Sequence, residues 1–187
     1  MICLQYTPLR VGESQHEAGI RLRDDMLCRF CGIALPSVVT DPGGKPRLAD
    51  RPDITFSVSH SVEAAVCALS FPGISDAEDA FIVYDGEDAP EVGADVELVD
   101  SHSDLPRLRR LADRFFPERE ADRLRHVPDS EDRIAFMKTW TALESFVKRT
   151  GEGFRHGFYH IDLSTVRRVT DTLEIGGKLY VFSVVYG

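Results

Sequence analysis

The sequence predicts an α+β protein built as two similar halves, and three features carry that expectation. Residues 131 to 153 repeat apolar side chains with the period of a core-facing helix. The order of elements along the chain is strand, helix, strands, then strand, helices, strands. Gly176-Gly177 divides an apolar closing segment into a hairpin. No sequence repeat strong enough to prove two halves accompanies this order.

The chain has 187 residues, of which 43% are hydrophobic and 28% charged, enough to bury one good core or two small ones. No apolar run reaches the 18 or so residues that span a bilayer. The start, MICLQYTPLR, lacks a basic region followed by a long apolar segment. A cytoplasmic location with no membrane partner is expected. With 22 basic against 31 acidic residues the formal charge is −9, which argues against nucleic-acid binding through phosphate neutralisation. Local basic clusters can still hold a small phosphorylated ligand. Cys3, Cys28, Cys31 and Cys67 are too few and scattered for a disulfide framework. Cys28 and Cys31 suit a redox pair or half a zinc site, but no second pair completes four ligands. They fall in a predicted helix, and small buried hydrophobes are the expectation.

Taken in order, Ile2 to Tyr6 forms a short strand and Glu17 to Ile33 a helix that carries Arg21, Arg23 and Arg29. Asp41-Pro-Gly-Gly-Lys-Pro46 is a loop by its turn residues. Ile54 to Ser59 and Ala64 to Phe71 make a hairpin around the polar link His60 to Glu63. Residues 72 to 91 are acidic and turn-rich, a surface excursion with one short strand at Phe81 to Tyr84. Val92 to Val99 is an apolar strand interrupted by Asp95 and Glu97, which point the same way because strand side chains alternate. Leu105 to Phe116 is helical, and Pro117 opens another helix with acids near its positive end. Beyond Gly153, Phe158 to Leu163, Thr172 to Ile175 and Lys178 to Tyr186 are expected as closing strands.

The helix at 131 to 153 organises the rest. Phe136, Trp140, Leu143 and Val147 form its apolar stripe, and Gly151 and Gly153 end it. Glu144 and Lys148 stand one turn apart, in a row with Trp140. That pair alone suits a surface salt bridge worth about 0.2–0.5 kcal/mol. Asp95, Glu97 and Glu144 are also the ingredients of a magnesium site, since magnesium prefers hard oxygen ligands and is often completed by substrate phosphates. If they converge, mutual repulsion raises at least one pKa unless a cation sits among them. The ordinary alternative for Asp95 and Glu97 is an exposed strand face.

Five ordered motifs resemble those of the 4′-phosphopantetheinyl transferases. Val92-Gly-Ala-Asp-Val-Glu97 looks like their G-x-D-x-E strand, and Trp140 to Lys148 looks like their W-x-x-K-E-x-x-x-K helix. Arg114-Phe-Phe-Pro-Glu-Arg-Glu120 resembles the R-F-F-x-x-x-E segment between them. Gly44-Lys-Pro46 and Phe56-Ser-Val-Ser-His-Ser61 resemble the G-K-P and S-H-S loops. The resemblance runs from about residue 20 to the end. It is closest to the larger, surfactin-synthetase-activating class, a monomer of two pseudo-symmetric halves, each a small antiparallel sheet packed on a long helix. The small holo-acyl-carrier-protein synthase class has one such half and works as a trimer.

The resemblance implies an N-terminal half, 1–90, with coenzyme A-binding loops, and a C-terminal half, 91–187, with the metal and catalytic motifs. It implies a holo-acyl-carrier-protein synthase type of activity: transfer of the phosphopantetheine arm of coenzyme A to a serine of an acyl or peptidyl carrier protein, releasing adenosine 3′,5′-bisphosphate. Asp95, Glu97 and Glu144 would hold Mg2+, Glu144 would take the serine proton, and Lys148 would steady the pyrophosphate. Lys45 and Pro46 would lie near the adenine, with Ser59 and His60 near the phosphates. His60 taken alone reads as a satisfied core or turn histidine.

The sequence also departs from the family pattern. Leu143 stands where the family has a lysine, so a phosphate contact is missing or comes from Arg149 or Lys138. A lysine restored at 143 is expected to regain it, provided the position borders the site rather than the apolar stripe. Much of the larger class's N-terminal region has no counterpart here, and Arg21 is the nearest candidate for the arginine of the first helix. The alternative these departures keep open is a non-catalytic relative that binds coenzyme A or a carrier protein.

Overall fold

The computed structural model describes residues 1–73, 80–86, 88–153 and 157–187. Strand β1 (Ile2–Pro8) leads into helix α1 (Gln15–Cys31). The helix starts two residues before the predicted Glu17 because Ser14 and Glu17 form a capping box: the Ser14 hydroxyl accepts from the Glu17 N–H, and the Glu17 carboxylate accepts from the Ser14 N–H. It stops at Gly32, whose φ of 69° is left-handed, so Ile33 lies outside it.

Short strands β2 (Val38–Thr40) and β3 (Pro46–Leu48) flank the predicted loop at 41 to 46, so Pro46 belongs to a strand. Asp41 Oδ1 organises the turn between them by accepting from the N–H groups of Gly43 and Lys45.

β4 (Thr55–Ser61) and β5 (Ala64–Ser70) are the predicted hairpin, but its turn is only Val62-Glu63. His60 and Ser61 therefore sit in β4, which decides where their side chains point. β6 (Phe81–Tyr84) pairs with β1 at the sheet edge, giving the order β4-β5-β1-β6. The predicted excursion at 72 to 91 thus carries its strand, though residues 74–79 and 87 of it lie outside the described residues.

The second stretch runs β7 (Val92–Leu98), α2 (Leu105–Phe115), α3 (Glu118–Arg125), α4 (Asp132–Thr150), β8 (Arg167–Ile175) and β9 (Lys178–Tyr186). Its sheet has the order β7-β9-β8. The strand expected at Phe158 to Leu163 is absent; the chain there turns and enters a 3₁₀ turn at Leu163–Thr165. Its apolar residues, Phe158, Ile161 and Leu163, pack instead into the helical core, where Phe158 stands edge-on to Trp140 at 5.6 Å. β8 starts five residues earlier than predicted, over a polar stretch that sequence patterning does not mark as a strand.

Period-two alternation distributes the core. Ile2, Leu4, Ala64, Val66 and Ala68 of the first sheet meet Val92, Ala94, Val96 and Val184 of the second in one shared apolar layer. Cys3, Cys67 and Leu69 face the other way, onto Leu22, Met26 and Leu27 of α1. β5 is covered on both sides, which is why every one of its residues is buried. The third cluster joins α2, α3 and α4 through Leu108, Ala112, Ala121, Leu124, Phe136 and Leu143. Cys28 is exposed and Cys31 half-buried, so neither is the fully buried hydrophobe expected. Among the described residues no helix is long and apolar enough to cross a membrane.

Candidate active site

β7 shows why a glycine precedes the two acids. Val92, Ala94 and Val96 point into the shared layer, so Gly93, Asp95 and Glu97 face α4. A Cβ on Gly93 would lie 2.0 Å from the Ser145 carbonyl and 2.5 Å from the Arg149 nitrogen; the helix crosses the strand in contact with bare backbone. Asp95 is therefore buried at 4% exposure, and the exposed-face alternative for it does not hold.

Three elements meet over Asp95. Lys148, near the end of α4, places Nζ 2.7 Å from Asp95 Oδ1 and 2.8 Å from Ser59 Oγ. Ser59, on β4, donates to the same Asp95 oxygen at 2.7 Å. One strand period further on, Ser61 donates to Glu97 Oε2 at 2.8 Å and accepts from the Leu98 N–H at 3.2 Å. Ser57 accepts from the Ala94 N–H at 2.9 Å. Alternate serines of β4 thus satisfy β7 where no strand ladder joins them. Sequence reasoning took Ser57 and Ser61 only as parts of a motif; their S-x-S-x-S spacing was the available signal.

Glu144, one turn before Lys148, is half-buried, and burial together with the negative charge of Asp95 pushes its carboxyl up to about 7, with Lys148 pulling it back. Glu97 is raised for the same two reasons, against the opposing Ser61 hydrogen bond and Lys148. Asp95 Oδ2 is buried and has no hydrogen-bond partner. An orphaned carboxylate oxygen beside two carboxyls with raised pKa values is an arrangement that a hard dication would relieve, so these residues fit magnesium. Among the described residues no three acidic, histidine or cysteine side chains are gathered closely enough to hold a metal ion by themselves. Oxygens from a bound ligand would have to finish the shell, as is usual for magnesium.

Two cavities flank this centre. A pocket of about 340 Å³ runs between the Gly43-Gly44-Lys45-Pro46 segment, Phe56 to Val58 of β4, and Glu144, Lys148 and Gly151 of α4. A groove of about 520 Å³ lies between α2 and α4, lined by Glu97, Arg107, Leu108, Leu111, Met137 and Trp140.

The family profile of the 4′-phosphopantetheinyl transferase superfamily matches residues 91–186, from the start of β7 to the end of β9. The chain belongs to the 4′-phosphopantetheinyl transferase superfamily. Its relatives among curated transferases include HetI of a Nostoc species, 34% identical over 113 residues, covering 59% of this chain and 39% of that protein. Sfp of Bacillus subtilis is 29% identical over 114 residues, covering 61% and 41%. The gsp transferase of Aneurinibacillus migulanus is 32% identical over 101 residues, covering 54% and 33%. The match is to the Sfp-like class, and the chain spans about two fifths of the length of the first of these relatives.

The remaining residues singled out from the phosphopantetheinyl transferase motifs are placed as follows. Pro46 lines the pocket, and so does Lys45, whose ammonium is turned away to Glu91. His60 is exposed on the α1 side of β4, opposite in direction to Ser59 and Ser61. Arg21 is bidentate to Glu13, at 2.7 and 3.0 Å, beside Thr7 of β1. Arg23, two residues further, pairs with Asp24 at 2.7 Å and lies 5.5 Å over the ring of Phe56, a pocket residue.

Leu143 has no exposure and belongs to the helical core, so a lysine there has no path to a phosphate on this side of α4. Lys138 lines a different cavity, with Arg123 and Arg168, and Arg149 binds the Gly187 carbonyl. In this structure neither points to the place of the lysine missing at position 143.

Proposed function

We propose that this chain transfers the 4′-phosphopantetheine arm of coenzyme A to a serine of an apo acyl or peptidyl carrier protein, releasing adenosine 3′,5′-bisphosphate. The observation that carries the reading is the row Trp140, Glu144, Lys148 along α4. The pocket opens at its Lys148 end and the groove at its Trp140 end, so a carboxyl with a pKa near neutrality stands between two binding sites. A reaction with one small and one macromolecular substrate needs that arrangement.

In this reading coenzyme A fills the pocket. Lys45 and Pro46 form the wall beside the adenine; Ser59 serves the phosphates from the Asp95 face of β4 and His60 from its opposite face, joined by Arg21 or Arg23, which in this structure pair with Glu13 and Asp24. The carrier serine enters along the groove between α2 and α4, whose floor is Leu108, Leu111, Met137 and Trp140 and whose rim carries Arg107 together with Asp100 and Asp104. Glu144 accepts the serine proton, directly or through water. Lys148 offers charge to the pyrophosphate and its leaving oxygen, exchanging its bond to Asp95 for one to the ligand. Asp95, Glu97 and Glu144 would hold Mg2+, which when bound neutralises pyrophosphate charge.

The two halves, 1–90 and 91–187, are proposed as pseudo-equivalent parts of a monomer. In support, β4-β5-β1 and β8-β9-β7 share one order, and α1 and α4 each connect a first strand to its hairpin. The test is mass spectrometry of an apo carrier protein incubated with the chain, coenzyme A and Mg2+. A gain of the phosphopantetheine mass is expected; no gain, with coenzyme A still bound, would leave a binding protein without catalysis.

A further inference from the structure

Lys45 lines the pocket, yet its ammonium makes a complete set of bonds elsewhere. Nζ lies 2.6 Å from Glu91 Oε2, 3.0 Å from the Val92 carbonyl and 2.8 Å from the Arg149 carbonyl, and the side chain is 4% exposed. An ammonium has three N–H donors and no acceptor, so nothing remains to offer a base or a phosphate. Two of its acceptors belong to the catalytic elements. The Arg149 carbonyl is among the orphan carbonyls at the end of α4, where a cation is favoured, and Val92 opens β7.

The loop that presents Lys45 is itself fastened. Asp41 accepts from the Gly43 and Lys45 N–H groups and from Arg47 Nε, and Arg47 reaches the second oxygen of Glu91 at 2.5 Å. Gly43 meets the end of α4 so closely that a Cβ there would lie 2.5 Å from the Gly151 carbonyl.

We propose that Lys45 is a positioning residue: its buried ammonium braces the Gly43 to Pro46 wall against the end of α4 and the start of β7, setting the width of the pocket without touching the ligand. The inference rests on the reading of that pocket as the coenzyme A site. It follows that Glu91, which lines no described cavity, matters for coenzyme A binding as much as Lys45 does.

The test compares Lys45→Met, Glu91→Gln and the double variant, with coenzyme A affinity measured by calorimetry at about 50 and 500 mM salt. Each single variant is expected to weaken binding about 10-fold, the double variant by no more than the worse single, and the loss to be the same at both salt concentrations. In transfer assays KM for coenzyme A rises while KM for the carrier protein stays within about twofold, a split that general loss of fold would not produce. A large loss in Lys45→Met that shrinks with salt, with Glu91→Gln unaffected, would show direct contact with a phosphate and overturn the proposal; so would unchanged binding in both. If Lys45→Met does not fold, Glu91→Gln decides on the same criteria. A wild-type chain that binds no coenzyme A removes the functional reading alone. The brace then stands or falls on amide hydrogen exchange in the last turn of α4, faster in both variants if it holds.

Discussion

Lys148 of α4 and Asp95 of β7 form an ion pair of 2.7 Å whose acid is buried and whose base is a third exposed. The pairing holds the ammonium at the mouth of the pocket and leaves the other Asp95 oxygen without a partner. The site is therefore electrostatically incomplete in the direction of a cation.

That incompleteness predicts how Mg2+ binds. Affinity for Mg2+ alone is expected to be weak and to tighten when coenzyme A is present, because ligand oxygens complete the shell. Asp95→Asn should lower transfer on the order of 100-fold or more, while the melting temperature moves by only a few degrees, since Ser59 and Lys148 keep a hydrogen-bonding partner there. Calorimetry with and without coenzyme A checks the first point. Equal Mg2+ affinity in both conditions would count against a shared site.

Glu144 makes the metal-free protein sensitive to pH. Its carboxyl is raised from 4.5 to about 7 in the fold, so between those values the folded chain holds a proton that the unfolded chain has released. Stability from this group is highest below about 4.5, falls as pH rises to about 7, and is level above. Relative to wild type, Glu144→Gln should gain about 1 kcal/mol at pH 8 and little at pH 5, after allowance for the exposed part of the side chain. Urea unfolding at both pH values, with a chelator present, reads the difference. A gain of the same size at both would assign it to packing.

Leu143→Lys places an ammonium among Phe136, Val147 and Leu108 in the helical core. The expected result is a loss of several kcal/mol, a sharply lower melting temperature and no tighter coenzyme A binding. Tighter binding with an unchanged melting temperature would mean that position 143 reaches the site after all.

Gly93→Ala should be as damaging as a core charge, although it adds one methyl group. The new Cβ meets backbone of α4 at 2.0 Å, and backbone cannot rotate aside. Loss of about 3 kcal/mol and of transfer activity together is expected, from unfolding curves and mass spectrometry of the same sample. Unchanged stability would show that α4 can lift from β7.

Much of this protein was legible in local sequence. The period of Phe136, Leu143 and Val147 gave the buried stripe of α4, the ordered motifs gave the family, and Gly176-Gly177, with φ of 58° and 75°, gave the final hairpin. These features depend on residues close together in the chain. The elements that were misread depend on remote partners. Phe158 to Leu163 has the composition of a strand and becomes a turn because its apolar side chains are absorbed by helices. Arg167 to Asp171 looks like a loop and becomes a strand because β9 offers it an edge.

At the site, sequence alone determined which residues make up the proposed centre: two acids on one strand face, and a carboxylate and an ammonium one turn apart on a helix. Tertiary structure alone decided their state. Covering β7 with α4 buries Asp95 and half-buries Glu144, and the burial of Glu144 together with the charge of Asp95 raises the pKa of Glu144. Packing of α4 on α2 and α3 puts Leu143 in the core, the turn before α1 hands Arg21 to Glu13, and the approach of the 41–46 loop fastens Lys45 to the end of α4. Spacing along a chain sets which side chains share a face; only packing sets the dielectric and the partners around them, and those decide what a charged group can do.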